Sequence, residues 1–388
     1  MKNELSIGIV GAGGFAAFAA TAFLQVPGIK IAAITDVQPE ASQKLAQAFQ
    51  AKVYWEYESF LKDPLIELVY IATPPYLHFE QSKLALLAGK HVICEKPATL
   101  KTKEVEELVS LAQSCQLLYT VNLMQRYNPL FNTVKKIIDE KFLGDFLHGF
   151  FENYASDEKL TPDHWFWEEN KSGGVFIEHG VHFFDLFAGW FGNGQVVHAA
   201  QWQRPDVTTK IIDRVQATVV YPKGPVTFYH GFDQPKLLDR QEMRLQFERG
   251  DITLYEWIPV RMRMHGLVLN AQLEELKLNL GNCTIVEHTT PSPTNNKVRG
   301  RFKDIYFDRL VTLEHGNAAE KEKRYQQLLV AMIQDQWSWI KNRAHTRVID
   351  QNNAIESVRI AEQATKMSTG SQNEAILEQS GEEMQKTK

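Results

Sequence analysis

The sequence has few cysteines and no long apolar run, and each absence excludes a class of protein. Its three cysteines, Cys94, Cys115 and Cys283, lie far apart, which fits neither a disulfide framework nor a tetrahedral zinc site. We interpret them as reduced thiols in or near the core. No stretch of ~18 apolar residues occurs, so no membrane-spanning helix is predicted. Because the first residues also lack a signal-peptide pattern, we expect a cytoplasmic protein with no membrane partner.

An excess of positive charge is missing as well. The chain has 42 Lys and Arg against 47 Asp and Glu, for a formal net charge of -5 at pH 7. No basic surface for nucleic acid is therefore predicted. Hydrophobic residues at 44% and charged residues at 23% are typical of a globular protein. At 388 residues the chain is too long for one ordinary core, and we predict two domains.

The first part of the chain alternates strand-like and helix-like segments. Apolar runs occur at 5–10, 29–35, 65–73, 91–94 and 117–121, and helical patterns at 15–26, 39–49, 78–88 and 102–114. This alternation is typical of parallel strands joined by crossover helices. We therefore predict an α/β Rossmann domain, a doubly wound parallel sheet, over residues 1–124.

After residue 124 the pattern changes to strand-like runs separated by turn signals, which indicates antiparallel strands. We predict an α+β domain over residues 125–368, with helices at 129–140, 325–341 and 352–367. Residues 289–321 are polar and turn-rich, so we expect a long excursion from the sheet with weak internal order. It could be a lid, a subunit contact or neither. The polar stretch 369–388 is predicted to be a disordered tail.

A glycine-rich turn follows the first strand directly and opens a helix. Gly11 and Gly13 have the spacing of the dinucleotide fingerprint, with Ala16 where its third small residue belongs. Glycine lets the backbone approach a pyrophosphate, and the start of the helix supplies oriented N–H groups. We predict cofactor contacts at Gly11, Gly13, Gly14 and Phe15. The alternative is a glycine turn that only packs the helix on the strand.

An acidic residue ends the second strand, 23 residues after Gly13. The carboxylate of Asp36 could accept hydrogen bonds from both hydroxyls of an adenosine ribose. A 2′-phosphate would meet the same carboxylate as a like charge. No lysine or arginine follows Asp36 until Lys44. The pattern therefore predicts NAD as the cofactor and makes NADP the less favoured one.

Two further segments carry side chains that could do chemistry. Lys96 follows the apolar run 91–94, at the strand end where open α/β sheets hold their ligands. Downstream, a helix from about Gly174 would place Glu178, His182 and Asp185 on one face. Gly180 would let a flat ring approach the backbone there. The alternatives are a buried His182 held by Asp185, and a metal site for which no adequate fourth ligand is evident, so no metal is predicted.

Several motifs together resemble the Gfo/Idh/MocA family of nicotinamide-dependent oxidoreductases, which includes glucose-fructose oxidoreductase and inositol dehydrogenase. The resemblance runs from Ile7 to about Met367. It rests on residues 8–14, 72–75 with His78, 88–92, Glu95-Lys96-Pro97, 126–129 and 173–185. It implies a Rossmann domain followed by a domain with a large open, mainly antiparallel sheet. The exposed face of that sheet commonly forms oligomer contacts, so a homodimer or homotetramer is expected.

The resemblance also implies an activity and the residues that carry it. Lys96 is similar to the family lysine that hydrogen-bonds the reacting hydroxyl, and His182 to the histidine that takes its proton. Glu178 stands where many relatives have aspartate, and His179 where the residue is usually apolar. The implied function is an NAD(P)-dependent oxidoreductase acting on a secondary alcohol of a sugar, cyclitol or related polyol. A hydride would pass to or from C4 of the nicotinamide.

Other residues are weaker candidates for the same site. Further predicted cofactor contacts are Thr73, Pro74, His78, Glu95 and Lys96. Predicted substrate contacts, besides Lys96, Glu178, His179 and His182, are Arg126, Tyr127, Trp165 and Lys171. Two alternatives within the family stay open. One is an NAD-dependent glycosidase that uses transient oxidation, and the other is a non-enzymatic regulator that senses a dinucleotide.

Overall fold

The computed structural model describes residues 4–205, 210–288 and 296–370. Its amino-terminal part is a six-stranded parallel sheet in the order β3-β2-β1-β4-β5-β6. The strands are β1 Leu5–Val10, β2 Ile29–Thr35, β3 Lys52–Tyr54, β4 Leu68–Ile71, β5 His91–Cys94 and β6 Tyr119–Val121. The helices between them are α1 Gly14–Phe23, α2 Pro39–Phe49, α3 Tyr57–Leu61, α4 His78–Leu87 and α5 Thr102–Ser114.

Both faces of this sheet are covered. In β4, Leu68 and Tyr70 pack into a core with α1, while Val69 and Ile71 pack into a second core with α4 and α5. Strands buried on both faces read as continuous apolar runs and lack polar alternation. The doubly wound fold predicted for this part of the chain is confirmed.

The second part is built on a nine-stranded sheet in the order β14-β17-β13-β12-β11-β7-β10-β9-β8. Only β7 and β10 pair in parallel, and the other neighbours are antiparallel. Its strands are β7 Phe146–Ser156, β8 Gln195–Gln203, β9 Ile212–Tyr221, β10 Gly224–Gln234, β11 Arg240–Phe247, β12 Gly250–Tyr255, β13 Arg261–Val268, β14 Cys283–Glu287 and β17 Arg309–Gly316. The predicted large, mainly antiparallel sheet is confirmed.

The remaining helices pack on the large sheet or on the first part of the chain. They are α6 Pro129–Asp139, α7 Glu169–Ser172, α8 Val181–Phe191, α9 Asn270–Leu280, α10 Lys321–Lys341 and α11 Gln351–Thr369. On α8, Phe183 stacks on Phe151 of β7 with ring centroids 3.6 Å apart. Helix α11 contacts α5, α8 and β8. Helix α11 therefore contacts elements of both parts of the chain.

One prediction about the less regular regions needs correction. The expected excursion at 289–321 is wrong where Arg309–Gly316 forms a strand between β13 and β14. Alternate residues Val311 and Leu313 are fully buried there, which is the period of a half-buried strand. Strands β15 Asn296–Gly300 and β16 Lys303–Phe307 pair as a separate antiparallel sheet. Residues 289–295, and 371–388 of the predicted tail, lie outside the described residues.

The three cysteines differ in exposure. Cys94 is buried and Cys283 half-buried, but Cys115 is exposed, so the expectation of core thiols is wrong for Cys115. In the described ranges, no helix has the length and apolar character needed to span a bilayer.

Candidate active site

A cavity of about 520 Å³ lies where the carboxyl ends of the parallel strands face the second sheet. This volume is in the range of pockets for small molecules. The first sheet contributes residues that follow β1, β4 and β5, and the second part contributes α8, the segment before it and the inner face of the large sheet. The lining includes Phe15, Thr73, Glu95, Lys96, Asn153, Trp165, Glu178, His179, His182, Gln241 and Lys321.

The glycine loop has the shape that a dinucleotide phosphate needs. Gly11 has a φ of +94°, and a Cβ there would lie 2.6 Å from the carbonyl oxygen of Ala72. A Cβ on Gly13 or Gly14 would meet nothing within 4 Å. The first turn of α1, which begins at Gly14, therefore borders open space. Its N–H groups and the positive end of the helix dipole fit a pyrophosphate.

Asp36, directly after β2, is held beside this loop. Its Oδ2 accepts a hydrogen bond from the backbone N–H of Ala12 at 2.6 Å. Its Oδ1 accepts one from the N–H of Gln38 at 2.7 Å. The carboxylate is therefore oriented before any ligand arrives, and its remaining lone pairs fit ribose hydroxyls.

Lys96 reaches from the end of β5 to the segment before α8. Its Nζ donates to Glu178 Oε1 at 2.6 Å and to the Glu178 carbonyl oxygen at 2.9 Å. Next to it, the Glu95 carboxylate accepts hydrogen bonds from Tyr70 and Asn122. Burial raises the pKa of Glu95 above its usual value, and those two donors oppose the shift. Lys96 and Glu178, both predicted for the catalytic site, therefore contact each other directly.

The predicted helix from Gly174 has an unexpected geometry. Residues Phe176–Gly180 form a π-helical turn that leads into α8, a feature frequent at functional sites. The turn places Glu178, His179 and His182 in the cavity wall. Gly180 does let a flat ring approach the backbone, as predicted, and the ring is that of Phe184, which would lie 2.9 Å from a Cβ at this position.

Asp185 does not hold His182. It forms a two-pronged ion pair with Arg126, Nε to Oδ2 and Nη2 to Oδ1, both at 2.9 Å. Asn353 of α11 donates to the same carboxylate at 2.9 Å. His182 Nδ1 is buried and has no hydrogen-bond partner within the described part of the chain, so Nε2 is the nitrogen left for the cavity.

The two cavity histidines are neutral. Burial lowers the pKa of His182 well below its usual value, and the charge of Lys96 adds to this shift. Burial also lowers the pKa of His179, with further contributions from His230, Lys96 and His182. His179 Nδ1 lies 2.9 Å from Nδ1 of His230 on β10. Neutral imidazoles offer lone pairs, which is the state that a proton acceptor needs.

Several predicted site residues lie elsewhere. Arg126 is paired with Asp185, the hydroxyl of the half-buried Tyr127 donates to Asp335 at 2.6 Å, and Lys171 pairs with Glu168 at 2.8 Å. None of these three side chains is among the residues that line the cavity. They stabilise the walls from outside, and we leave them out of the proposed substrate contacts.

The loop residues after β4 have mixed placements. Thr73 lines the cavity, as does Pro75, whereas Pro74 is not among the lining residues. His78 is fully buried, with its ring nitrogens 2.7 Å from the Pro97 carbonyl oxygen and 2.8 Å from that of Thr73. It therefore connects the two loops that carry Thr73 and Lys96 and does not line the cavity itself.

Sequence reasoning missed three polar residues on the inner face of the large sheet. Asn153 and Gln241 line the cavity, and His230 lies behind His179. Asn153 and His230 each occupy a strand position whose neighbours two residues away are apolar and buried, for example Phe228 and Phe232 around His230, and Gln241 has the buried Met243 on one side. A polar residue at such a core-facing position was the available signal.

The described ranges contain no group of three or more His, Cys, Asp or Glu side chains arranged to hold a metal ion. Glu178, which would have to be a ligand in a metal site with His179 and His182, is turned towards Lys96. The fold and the glycine loop instead define a NAD(P)-binding Rossmann protein.

Comparisons with known proteins identify the family. Residues 5–123 match the family model described as "Oxidoreductase family, NAD-binding Rossmann fold" of Gfo/Idh/MocA, and residues 131–253 match the Gfo/Idh/MocA C-terminal domain. An uncharacterised oxidoreductase of Schizosaccharomyces pombe is 31% identical over 66% of this chain and 73% of that protein. The chain belongs to the Gfo/Idh/MocA family of oxidoreductases, and the resemblance described above is confirmed.

Two further matches have named activities. A scyllo-inositol 2-dehydrogenase (NADP(+)) of Bacillus subtilis is 30% identical over 51% of this chain and 55% of that protein. A solved structure of levoglucosan dehydrogenase with NADH and levoglucosan has a TM-score of 0.72 and covers 94% of this chain and 97% of that chain. At 17% identity this second likeness shows the fold alone.

Proposed function

We propose that the protein oxidises a secondary alcohol of a sugar, cyclitol or related polyol, or catalyses the reverse reduction, with NAD. The observation that carries the proposal is the convergence of Lys96, Glu178 and His182 in one cavity beside the glycine loop. A neutral imidazole can accept the hydroxyl proton, and a fixed ammonium group can stabilise the substrate oxygen as it gains alkoxide character. The relative named for scyllo-inositol supports a polyhydroxylated substrate.

The three side chains have separate tasks in this proposal. His182, kept neutral by burial, accepts the hydroxyl proton at Nε2. Lys96 donates a hydrogen bond to the substrate oxygen as that oxygen gains alkoxide character. Glu178 holds the Lys96 ammonium in position through its 2.6 Å contact and can accept from a neighbouring hydroxyl. When bound, the nicotinamide supplies the group that takes up or returns the hydride.

The choice of NAD rests on Asp36. Its carboxylate is fixed by Ala12 and Gln38 next to the open space over α1. It can accept from the two ribose hydroxyls, whereas a 2′-phosphate would bring a second negative charge to the same place. Since the Bacillus subtilis relative is named for NADP, this preference is a specific feature that we propose for the present chain.

The experiment is to incubate the purified protein with NAD or NADP and a panel of scyllo-inositol, D-xylose and levoglucosan, and to record the absorbance of the reduced cofactor. We expect polyol-dependent reduction of NAD. Cleavage of a glycoside without net reduced cofactor would favour the glycosidase. Dinucleotide binding without any turnover would favour the regulator.

We also propose that the outer face of the large sheet forms the contact of a homodimer or homotetramer. Phe150 is 38% exposed on that face, and the rings of Tyr154 and Tyr229 lie 5.2 Å apart on neighbouring strands. Exposed aromatic side chains at a sheet surface are typical of subunit contacts. Light scattering on the eluted protein tests this, because a monomeric mass contradicts it.

A further inference from the structure

The pair His179 and His230 is a feature that the proposed reaction does not use. His179 lines the cavity, while His230 is fully buried behind it on β10. Their Nδ1 atoms lie 2.9 Å apart, which is a hydrogen-bond distance. The pair therefore has no task yet in the reaction proposed above.

The distance determines how many protons the two Nδ1 atoms share. Two bare nitrogens would repel each other at 2.9 Å, and so would two N–H groups, so one of the two Nδ1 atoms carries a proton. Burial lowers the pKa of His230 to about 3, and the pKa of His179 is also well below its usual value because of burial. Both rings are thus neutral, and each carries one proton.

The surroundings of each ring determine which one donates. The His230 ring is enclosed by phenylalanine rings with centroid distances of 5.1 to 6.4 Å, namely Phe151, Phe183, Phe176 and Phe184. Aromatic faces are partly negative and accept N–H groups weakly. The His230 Nε2 has no other partner in the described structure. These surroundings favour a proton on that nitrogen.

The opposite preference holds on the cavity side. Lys96 is a fixed positive charge that acts on both His179 and His182. A nearby cation favours a lone pair facing it over an N–H group. Glu178 Oε1 is turned towards Lys96 at 2.6 Å and is occupied by that contact, which leaves Oε2 for a substrate hydroxyl. His179 then carries its proton on Nδ1, donates it to His230, and offers the Nε2 lone pair to the cavity.

We infer that His230 is a positioning residue that holds His179 as a hydrogen-bond acceptor for a second hydroxyl of the substrate. His182 would receive the reacting hydroxyl, and His179 one more hydroxyl of the same molecule. The inference rests on the proposed function and makes it more specific, because it assigns the residue that contacts a second hydroxyl group of the substrate. Molecules with a single alcohol group leave the His179 lone pair without a donor.

The first test needs no substrate. Protein labelled with ¹⁵N-histidine, at pH 7 and without ligand, is measured by long-range ¹H–¹⁵N correlation, which distinguishes protonated from bare ring nitrogens. We expect His179 to be protonated at Nδ1 and His230 at Nε2, with a coupling across the hydrogen bond between the two Nδ1 atoms. A spectrum with His179 protonated at Nε2 would overturn the inference.

The second test uses variants of His230. His230→Phe keeps an aromatic ring among the phenylalanines but removes the acceptor, whereas His230→Asn keeps an acceptor close to the position of Nδ1. We expect His230→Phe to raise KM for the accepted polyol about 5- to 10-fold, the worth of one hydrogen bond, with a smaller change in kcat. His230→Asn should restore KM to within about twofold, because an amide oxygen can accept the same hydrogen bond.

The matched control is His265→Phe. His265 also uses Nδ1 in a hydrogen bond, to Thr312 at 2.9 Å on the large sheet, but it lies outside the cavity. This variant should leave KM unchanged. An equal rise of KM in His265→Phe and His230→Phe would mean a general effect on the sheet and would overturn the positioning role.

Monodeoxy analogues of the accepted polyol identify the second hydroxyl. Removal of the hydroxyl that contacts His179 should cost the wild type about 5- to 10-fold in kcat/KM and cost His230→Phe clearly less, since coupled changes are not additive. Equal losses in both proteins at every position would contradict the inference. If no polyol is oxidised at all, the proposed function fails, while the ¹⁵N spectrum still decides the protonation of the pair.

Discussion

The two walls of the cavity are built in different ways. On the cofactor side, the loop Gly11–Gly14 and Asp36 use backbone shape, a helix start and one carboxylate, all within about three dozen residues of sequence. On the substrate side, Glu178, His179 and Gln241 come from elements far apart in the chain. A local motif with a backbone role can be predicted from the sequence, whereas a wall formed by side chains from separate strands cannot. The sequence therefore predicts the class of cofactor better than it predicts the substrate.

The largest effect on activity is expected from Lys96→Met, because Lys96 connects the two walls of the cavity through Glu178. Loss of the ammonium group should lower kcat by at least ~100-fold, the low end for an electrostatic or acid–base group. NAD binding, measured by fluorescence titration, should persist. The control is Lys171→Met, since Lys171 pairs with Glu168 away from the cavity. Wild-type turnover in Lys96→Met would refute the assignment.

A pair of glycine variants separates the shape of the cofactor loop from its ligand. Gly11→Ala combines a positive φ with a Cβ 2.6 Å from a carbonyl oxygen, so the free energy of unfolding should fall by about 1–3 kcal/mol. Gly13→Ala meets no atom within 4 Å and should keep that stability. Because its methyl group enters the space proposed for the pyrophosphate, the Kd for NAD should rise about tenfold. Chemical denaturation and NAD titration of both variants check this, and equal stability of the two would disprove the strain.

Asp36→Asn tests the charge on the cofactor side without changing its shape. The amide keeps one oxygen acceptor for the loop N–H groups but no longer repels a 2′-phosphate. The ratio of kcat/KM for NAD over NADP should fall at least about tenfold, as expected from removing one close like-charge contact. Glu40→Gln, an exposed carboxylate on α2, is the control and should leave the ratio unchanged. An unaltered ratio in Asp36→Asn would remove the basis for the NAD preference.

The pH dependence of stability should reflect a buried histidine in each of the two sheets. Burial lowers the pKa of His91 on β5 to about 4 and that of His230 on β10 to about 3. Their ordinary value is ~6.5, so the unfolded chain binds more protons below that pH. Stability should be complete above pH ~6.5 and decline as the pH falls towards 4, by up to ~1.4 kcal/mol per pH unit for each such histidine.

Urea denaturation at pH 7, 6 and 5 measures this slope. His230→Phe and His91→Phe should each reduce it, by at most one proton, since each removes one group that titrates differently in the two states. If both variants keep the full slope, neither histidine is buried in its neutral form, and the proton count of the pair behind the cavity loses its support.

Much of the first sheet follows from local signals. The observed bounds of α2, α5 and β5 match the predicted ranges 39–49, 102–114 and 91–94, because proline, glycine and apolar periodicity determine where these elements start and stop. The short edge strand β3 was missed, since three residues offer too little pattern. Strand β17 was missed because polar composition concealed the alternation of Val311 and Leu313.

The site could be predicted only in part. Lys96, Glu178 and His182 were expected to meet, and all three line the cavity. The positions of Arg126 and Tyr127 were not foreseeable, because their partners Asp185 and Asp335 lie 59 and 208 residues away. Nothing local to residues 126–127 shows that both side chains are already occupied. Long-range ion pairs of this kind exist only after packing.

The sequence by itself determined the family, the parallel sheet, the glycine loop with Asp36, and the lysine at the end of β5, because each depends on neighbours close along the chain. Which polar groups face the cavity depends on tertiary packing. Packing turned Asp185 away from His182, left His182 Nδ1 without a hydrogen-bond partner among the described residues, and placed His230 behind His179. These outcomes depend on how α8 packs on a nine-stranded sheet, where a shift of one residue in a strand would point each side chain to the opposite face.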